Sequence, residues 1–100
     1  MSGVSWPLSR LKYLYMKYFV YIIENEKSRH YVGISTDPDR RVVEHNKGSA
    51  KSTRPFGPWK IIYTEEFASR SEACKREWHL KHSEGRQEKL NIIEKYGEVA

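Results

Sequence analysis

One cysteine, Cys74, stands in a chain of 100 residues. That excludes an intramolecular disulfide and a cysteine-ligated metal cluster, and the thiol suits a reducing compartment. Long apolar runs are missing as well: none approaches the ~20 residues that a membrane span needs. Nor does the N-terminus show the continuous apolar core followed by small residues that a secretory signal carries. The expected location is cytoplasmic. Acids are lacking from one stretch. Between His45 and Thr64 there is no Asp or Glu, whereas Lys47, Lys51, Arg54 and Lys60 fall there, interleaved with Phe56 and Trp59. A charge run of this kind is ordinarily a solvated loop. Coming directly after an unusual hairpin, it is equally well read as a surface for a phosphate backbone. The formal net charge of +5 points to an acidic partner, as a minor signal.

The length allows one domain with a modest core, and therefore one compact site. Its pattern predicts strand, strand, helix, strand, helix, helix. Residues 18 to 24 and 30 to 35 are rich in β-branched and aromatic types and flank Asn25-Glu26-Lys27-Ser28-Arg29, which has turn composition. The two strands should pair antiparallel. Phe19, Tyr21 and Ile23 on one face of the first strand, and Val20 and Ile22 on the other, predict a central strand covered on both sides.

Asp37-Pro38-Asp39 supplies an N-cap, a proline at the first helical position and an acid in the first turn, opening a helix that ends near Gly48. Two prolines and a glycine make 49 to 58 a loop, and a third strand follows at 59 to 66. Ser69 and Glu72 form a capping-box signal for a helix from Arg70 to His82. Gly85 breaks that helix, and a last one runs from Arg86 to Tyr96 before Gly97. Residues 1 to 15 differ in character, with Arg10 and Lys12 but no acid. They read as an extension before a natural start at Met16, or else as a helical arm using Leu8, Leu11 and Leu14, with a single domain over 16 to 97.

Two tyrosines, an arginine and a histidine converge on the hairpin in a way that packing alone does not require. Tyr31 and Gly33 share a strand face, and the glycine leaves space beside a phenol. Arg41 and His45, at i and i+4, project from one face of the following helix. An arginine suits a phosphodiester because its planar donors reach two oxygens at once. Taken singly, each tyrosine is more ordinarily a core or sheet-surface aromatic, and Arg41 and His45 are ordinary solvated helix residues. The arrangement carries the inference. Glu77 adds to it, because it falls within the apolar stripe of Ala73, Cys74 and Leu80. A carboxylate there is either in a salt bridge or holds a metal, and a lone carboxylate suffices for Mg²⁺, which keeps most of its waters.

These residues resemble the GIY-YIG nuclease domains, and most of all their small single-domain (UPF0213-like) members. Val20-Tyr21-Ile22, with Phe19 in place of a glycine, is similar to the first family motif, and Tyr31-Val32-Gly33 to the second. Arg41, His45 and Glu77 stand where the family carries its helix arginine, a histidine one turn on and its metal-binding glutamate. Lys51-Ser52-Thr53 and Pro58-Trp59-Lys60-Ile61-Ile62-Tyr63 also have counterparts, and Asn91 or a neighbour stands where some members have a site asparagine.

The resemblance implies an α+β fold, a three-stranded antiparallel sheet flanked by helices, and metal-dependent hydrolysis of DNA phosphodiester bonds. It implies one Mg²⁺ or Mn²⁺ on Glu77 polarising the scissile phosphate, Arg41 neutralising charge on the phosphoryl oxygens, and Tyr21, assisted by Tyr31, orienting or deprotonating the attacking water. A phenol titrates near ~10, so such a base needs help from Arg41, His45 or the metal. Lys47, Lys51, Arg54 and Lys60 are the expected nucleic-acid contacts. A chain of this length has no second DNA-binding domain, so cleavage is expected to be structure-selective, on branched or single-stranded DNA, or directed by a protein partner. No small-molecule cofactor is expected. A catalytically silent nucleic-acid-binding module and a protein-interaction domain are the competing classes. Metal-independent binding without cleavage would favour the first, and failure to bind any nucleic acid the second.

Overall fold

A computed structural model describes residues 16–48 and 58–98. Three strands, β1 (Tyr18–Asn25), β2 (His30–Ser35) and β3 (Trp59–Phe67), form an antiparallel sheet in the order β2-β1-β3. Helix α1 (Pro38–Asn46) follows β2, and α2 (Arg70–Lys81), a 3₁₀ turn (Ser83–Gly85) and α3 (Arg86–Tyr96) follow β3. The expected three-stranded sheet flanked by helices is therefore the fold. Residues 1 to 15 and the loop residues 49 to 57, with Lys51 and Arg54, lie outside the described residues.

The central strand β1 is apolar on both faces because each face has its own core. Val20 and Ile22 pack with Val32, Ala73 and Leu80, and with Ile92 and Ile93 of α3. Tyr21 and Ile23 pack with Trp59, with Tyr31, Val42 and Ile61 against them. Trp59 thus belongs to the core at 6% exposure, not to the basic surface its neighbours suggested. The period of two along β1 assigns alternate residues to the two layers.

Caps lie where the sequence puts them. Asp37 accepts a hydrogen bond from the Arg40 N–H at 3.2 Å, and Ser69 accepts from the Glu72 N–H at 3.2 Å. Gly48 closes α1 at φ 81°, the left-handed conformation in which glycine carries no Cβ penalty. In the hairpin turn, the Asn25 side chain accepts from the N–H groups of Lys27 (3.0 Å) and Arg29 (2.8 Å), which holds Ser28 at φ 59°. At the other end of α1, Asn46 makes hydrogen bonds to both the N–H and the carbonyl of Trp59, fixing the helix against the start of β3.

One buried carboxylate has no sequence signature. Glu24, with a fully buried side chain, pairs with His30 Nε2 at 2.9 Å and accepts from the Glu98 N–H at 3.0 Å. It ties the hairpin to the chain that follows α3. Glu24→Ala is expected to cost about 2–4 kcal/mol, because charge-assisted bonds are lost and their buried partners stay behind. A shift of the denaturant midpoint at unchanged m-value measures it.

Candidate active site

Register and helix geometry bring Tyr21, Tyr31, Arg41 and His45 together, and Glu77 reaches them only through its charge and its partner Lys81. Tyr21 on β1 stands directly opposite Gly33 on β2, and its ring lies over that glycine: a Cβ on Gly33 would come 2.5 Å from Tyr21 Oη. The space beside Gly33 is therefore filled by the phenol of Tyr21, not by that of Tyr31. Tyr31, two residues earlier on β2, faces the same layer.

Helix α1 presents Arg41 and His45 to these two rings. Tyr21 Oη and His45 Nε2 are 3.0 Å apart, in a buried hydrogen bond between side chains each 1% exposed. The His45 ring also meets Tyr31 edge-on, with centroids 5.2 Å apart. The Arg41 guanidinium interacts with the Tyr21 hydroxyl and donates to Glu44 Oε1 at 2.8 Å. Its side chain remains about one-third exposed (35%), so it is still accessible to a ligand.

Glu77 comes from α2, on the other layer, and is three-quarters buried, with 24% of its side chain exposed. Its Oε2 is 3.3 Å from Lys81 Nζ, and that ammonium sits 5.2 Å from the centre of the Tyr31 ring. The carboxylate is felt at Tyr21, whose ionisation it opposes. The salt bridge that the stripe position allowed is thus present. Lys81 was not singled out from sequence, although its i+4 spacing from Glu77 was the available signal.

The remaining expected residues are placed differently. Lys47 is the exposed C-cap of α1. Lys60 stands opposite Glu24 in the register, on the layer away from α1, and its ammonium is held by Glu98. Asn91 lies exposed on α3, accepting from Gln87 Nε2 at 2.9 Å.

Burial decides the electrostatics. It pushes the Tyr21 phenol up to about 12, with Tyr31 adding to the shift and Arg41 only partly offsetting it. Burial, helped by the Arg41 charge, lowers His45 below its ordinary value of 6.5. At neutral pH the pair is therefore a protonated phenol and a neutral imidazole, sharing the hydrogen bond between Tyr21 Oη and His45 Nε2.

Linkage gives this a measurable consequence. With the folded pKa of His45 depressed, the unfolded chain binds more protons below pH 6.5, so the stability this site contributes is present above 6.5 and is lost as pH falls. The unfolding midpoint should drop between pH 7.5 and 5.5, and by less in His45→Gln.

No group of three or more His, Cys, Asp or Glu side chains among the described residues is placed to hold a metal. A single carboxylate fits an ion of the Mg²⁺ type, which takes one or two protein oxygens and completes its shell with water and phosphate oxygen.

The GIY-YIG catalytic domain matches residues 17–91, a span that takes in the hairpin, α1 and α2. The chain belongs to that family. Among its relatives, the UPF0213 protein SH2523 of Staphylococcus haemolyticus is 39% identical over 79 residues, covering 78% of this chain and 95% of that protein. The UPF0213 protein VNG_2274C of Halobacterium salinarum is 48% identical over 63 residues, covering 62% and 82%. The solution NMR structure of the UPF0213 protein BH0048 from Bacillus halodurans is 37% identical, with a TM-score of 0.50 and coverage of 82% of this chain and 88% of that one. No helix among the described residues is long and apolar enough to cross a membrane.

Proposed function

We propose that the protein is a metal-dependent endonuclease that hydrolyses DNA phosphodiester bonds, acting on particular DNA structures or directed by a partner. The observation that carries this reading is the buried Tyr21–His45 hydrogen bond, with Arg41 beside it and Glu77 near enough to be felt at the phenol. A free phenolate is not available at neutral pH to a phenol whose pKa is about 12. A neutral imidazole 3.0 Å away offers another route. Tyr21 takes a proton from the attacking water as its own proton passes to His45 Nε2. The water oxygen bonds to phosphorus, the bond to the leaving sugar oxygen breaks, and that oxygen is protonated from solvent.

Arg41 binds the non-bridging phosphate oxygens and offsets charge growing on them. Tyr31 packs against the His45 ring and holds its orientation. Glu77 is the residue that would hold Mg²⁺ or Mn²⁺. Held by that carboxylate, a divalent ion would supply Lewis-acid stabilisation of the phosphate and the leaving oxygen. Lys81 neutralises the same carboxylate and so competes for it. Lys47, Lys51 and Arg54 are proposed to contact the DNA backbone around the loop. Lys60, held by Glu98 on the opposite layer, is left out of that set.

The test is cleavage of labelled duplex, branched and single-stranded DNA with Mn²⁺, alongside calorimetric titration of the ion. Arg41→Ala should bind the ion normally and cleave at least a hundredfold more slowly, whereas Glu77→Ala should lose both. Cleavage that survives Arg41→Ala unchanged contradicts the assignment.

A further inference from the structure

Trp78 immediately follows Glu77 on α2, and it is 51% exposed. Single apolar residues on a surface are ordinary, but this indole is also held in one orientation. It stacks on His82 with centroids 4.0 Å apart and planes 15° from parallel, and His82 Nδ1 is 2.6 Å from the Trp78 carbonyl oxygen. His82 covers one face of the indole, and the half-exposed ring stands at the water boundary.

Beside it lies a pocket of about 430 Å³ between the end of α2 and the start of α3. Lys81, His82, Arg86 and Lys89 line it over Leu80 and Leu90, and no Asp or Glu is among its lining residues. His82 joins the pocket to the indole. Lys81 joins it to the candidate active site, through Tyr31 at 5.2 Å and Glu77 at 3.3 Å. A cationic groove flanked by an exposed aromatic is how proteins grip unpaired strands, with phosphates in the groove and bases on the ring. In a duplex the base faces are already stacked, so the indole has nothing to receive.

We infer that this pocket and the Trp78 ring bind a single-stranded nucleic-acid segment adjoining the scissile bond. The inference rests on the nuclease reading for where the strand leads, and on the pocket and ring for its chemistry. It supplies a structural selectivity from within a single domain.

The test is equilibrium binding of a fluorescein-labelled oligothymidylate by the full chain in EDTA, followed by anisotropy, with a duplex of equal length in parallel. Trp78→Ala should weaken single-strand binding by about tenfold or more and Trp78→Phe by much less, with duplex binding unchanged in both. Arg86→Ala with Lys89→Ala should lower the slope of log K against log salt by about 1 to 1.5. Single-strand binding that is unchanged in Trp78→Ala and in the double variant overturns the inference. So does equal weakening on duplex.

Cleavage with Mn²⁺ is scored separately. Trp78-dependent binding without cleavage sinks the nuclease reading and leaves the docking surface standing. Cleavage with Trp78-independent binding does the reverse.

Discussion

Replacing Tyr21 with phenylalanine is expected to slow DNA cleavage by about 10²–10⁴-fold, the usual range for losing a positioned proton-transfer group. The substitution removes one oxygen and leaves the ring over Gly33, so the sheet register and the second core persist. The stability cost should be about 1 kcal/mol, that of one buried hydrogen bond. The two readouts separate chemistry from folding: a single-turnover rate measures the first and a denaturant midpoint the second. His45→Gln should slow cleavage comparably, because the proton leaving Tyr21 then has no imidazole to receive it. Tyr31→Phe should be milder, since Tyr31 meets His45 through its ring.

Gly33→Ala should damage both stability and activity. Its new methyl group would sit 2.5 Å from Tyr21 Oη and 2.6 Å from the ring carbon that carries it, well inside contact distance. Tyr21 is 1% exposed and bonded to His45, so its ring has no open side toward which to retreat. Either the ring rotates off its rotamer or β2 moves away from β1. Overpacking of this kind costs about 1–3 kcal/mol. The ring displacement also breaks the Tyr21–His45 contact, so cleavage should fall at least as far as in Tyr21→Phe. If Gly33→Ala is stable and fully active, the phenol is not needed where it stands.

The elements were legible because their signals are local. Continuous apolar character on both faces marks β1 as central, and Asp37-Pro38 and Ser69…Glu72 mark helix starts that the hydrogen bonds bear out. Gly48 marks the end of α1. Within the site, the strand period and the i,i+4 rule were enough to pair Tyr31 with Gly33 and Arg41 with His45. They could not show that the phenol over Gly33 is that of Tyr21, because this depends on which residues of β1 and β2 face each other.

Long-range chain paths decided the rest. Lys60 reads as a backbone contact in the sequence, and the end of the chain brings Glu98 to its ammonium. Trp59 looked like part of a basic surface until β3 turned it into the second core. Glu24 lies at the end of β1, and the return of the chain after α3 brings the Glu98 N–H to its buried carboxylate. The direction of the Tyr21 shift was hidden for the same reason. A neighbouring arginine lowers a phenol's pKa, but the burial that outweighs it comes from tertiary packing.

The most direct single measurement is cleavage of an end-labelled set of duplex, branched and single-stranded DNA by the wild-type chain, in Mn²⁺ and in EDTA, with Glu77→Gln alongside. A nuclease centred on Tyr21, His45, Arg41 and Glu77 predicts defined products in Mn²⁺, none in EDTA, and at least a hundredfold loss in Glu77→Gln. Cleavage that continues in EDTA, or no cleavage of any substrate by a folded wild-type chain, would contradict it.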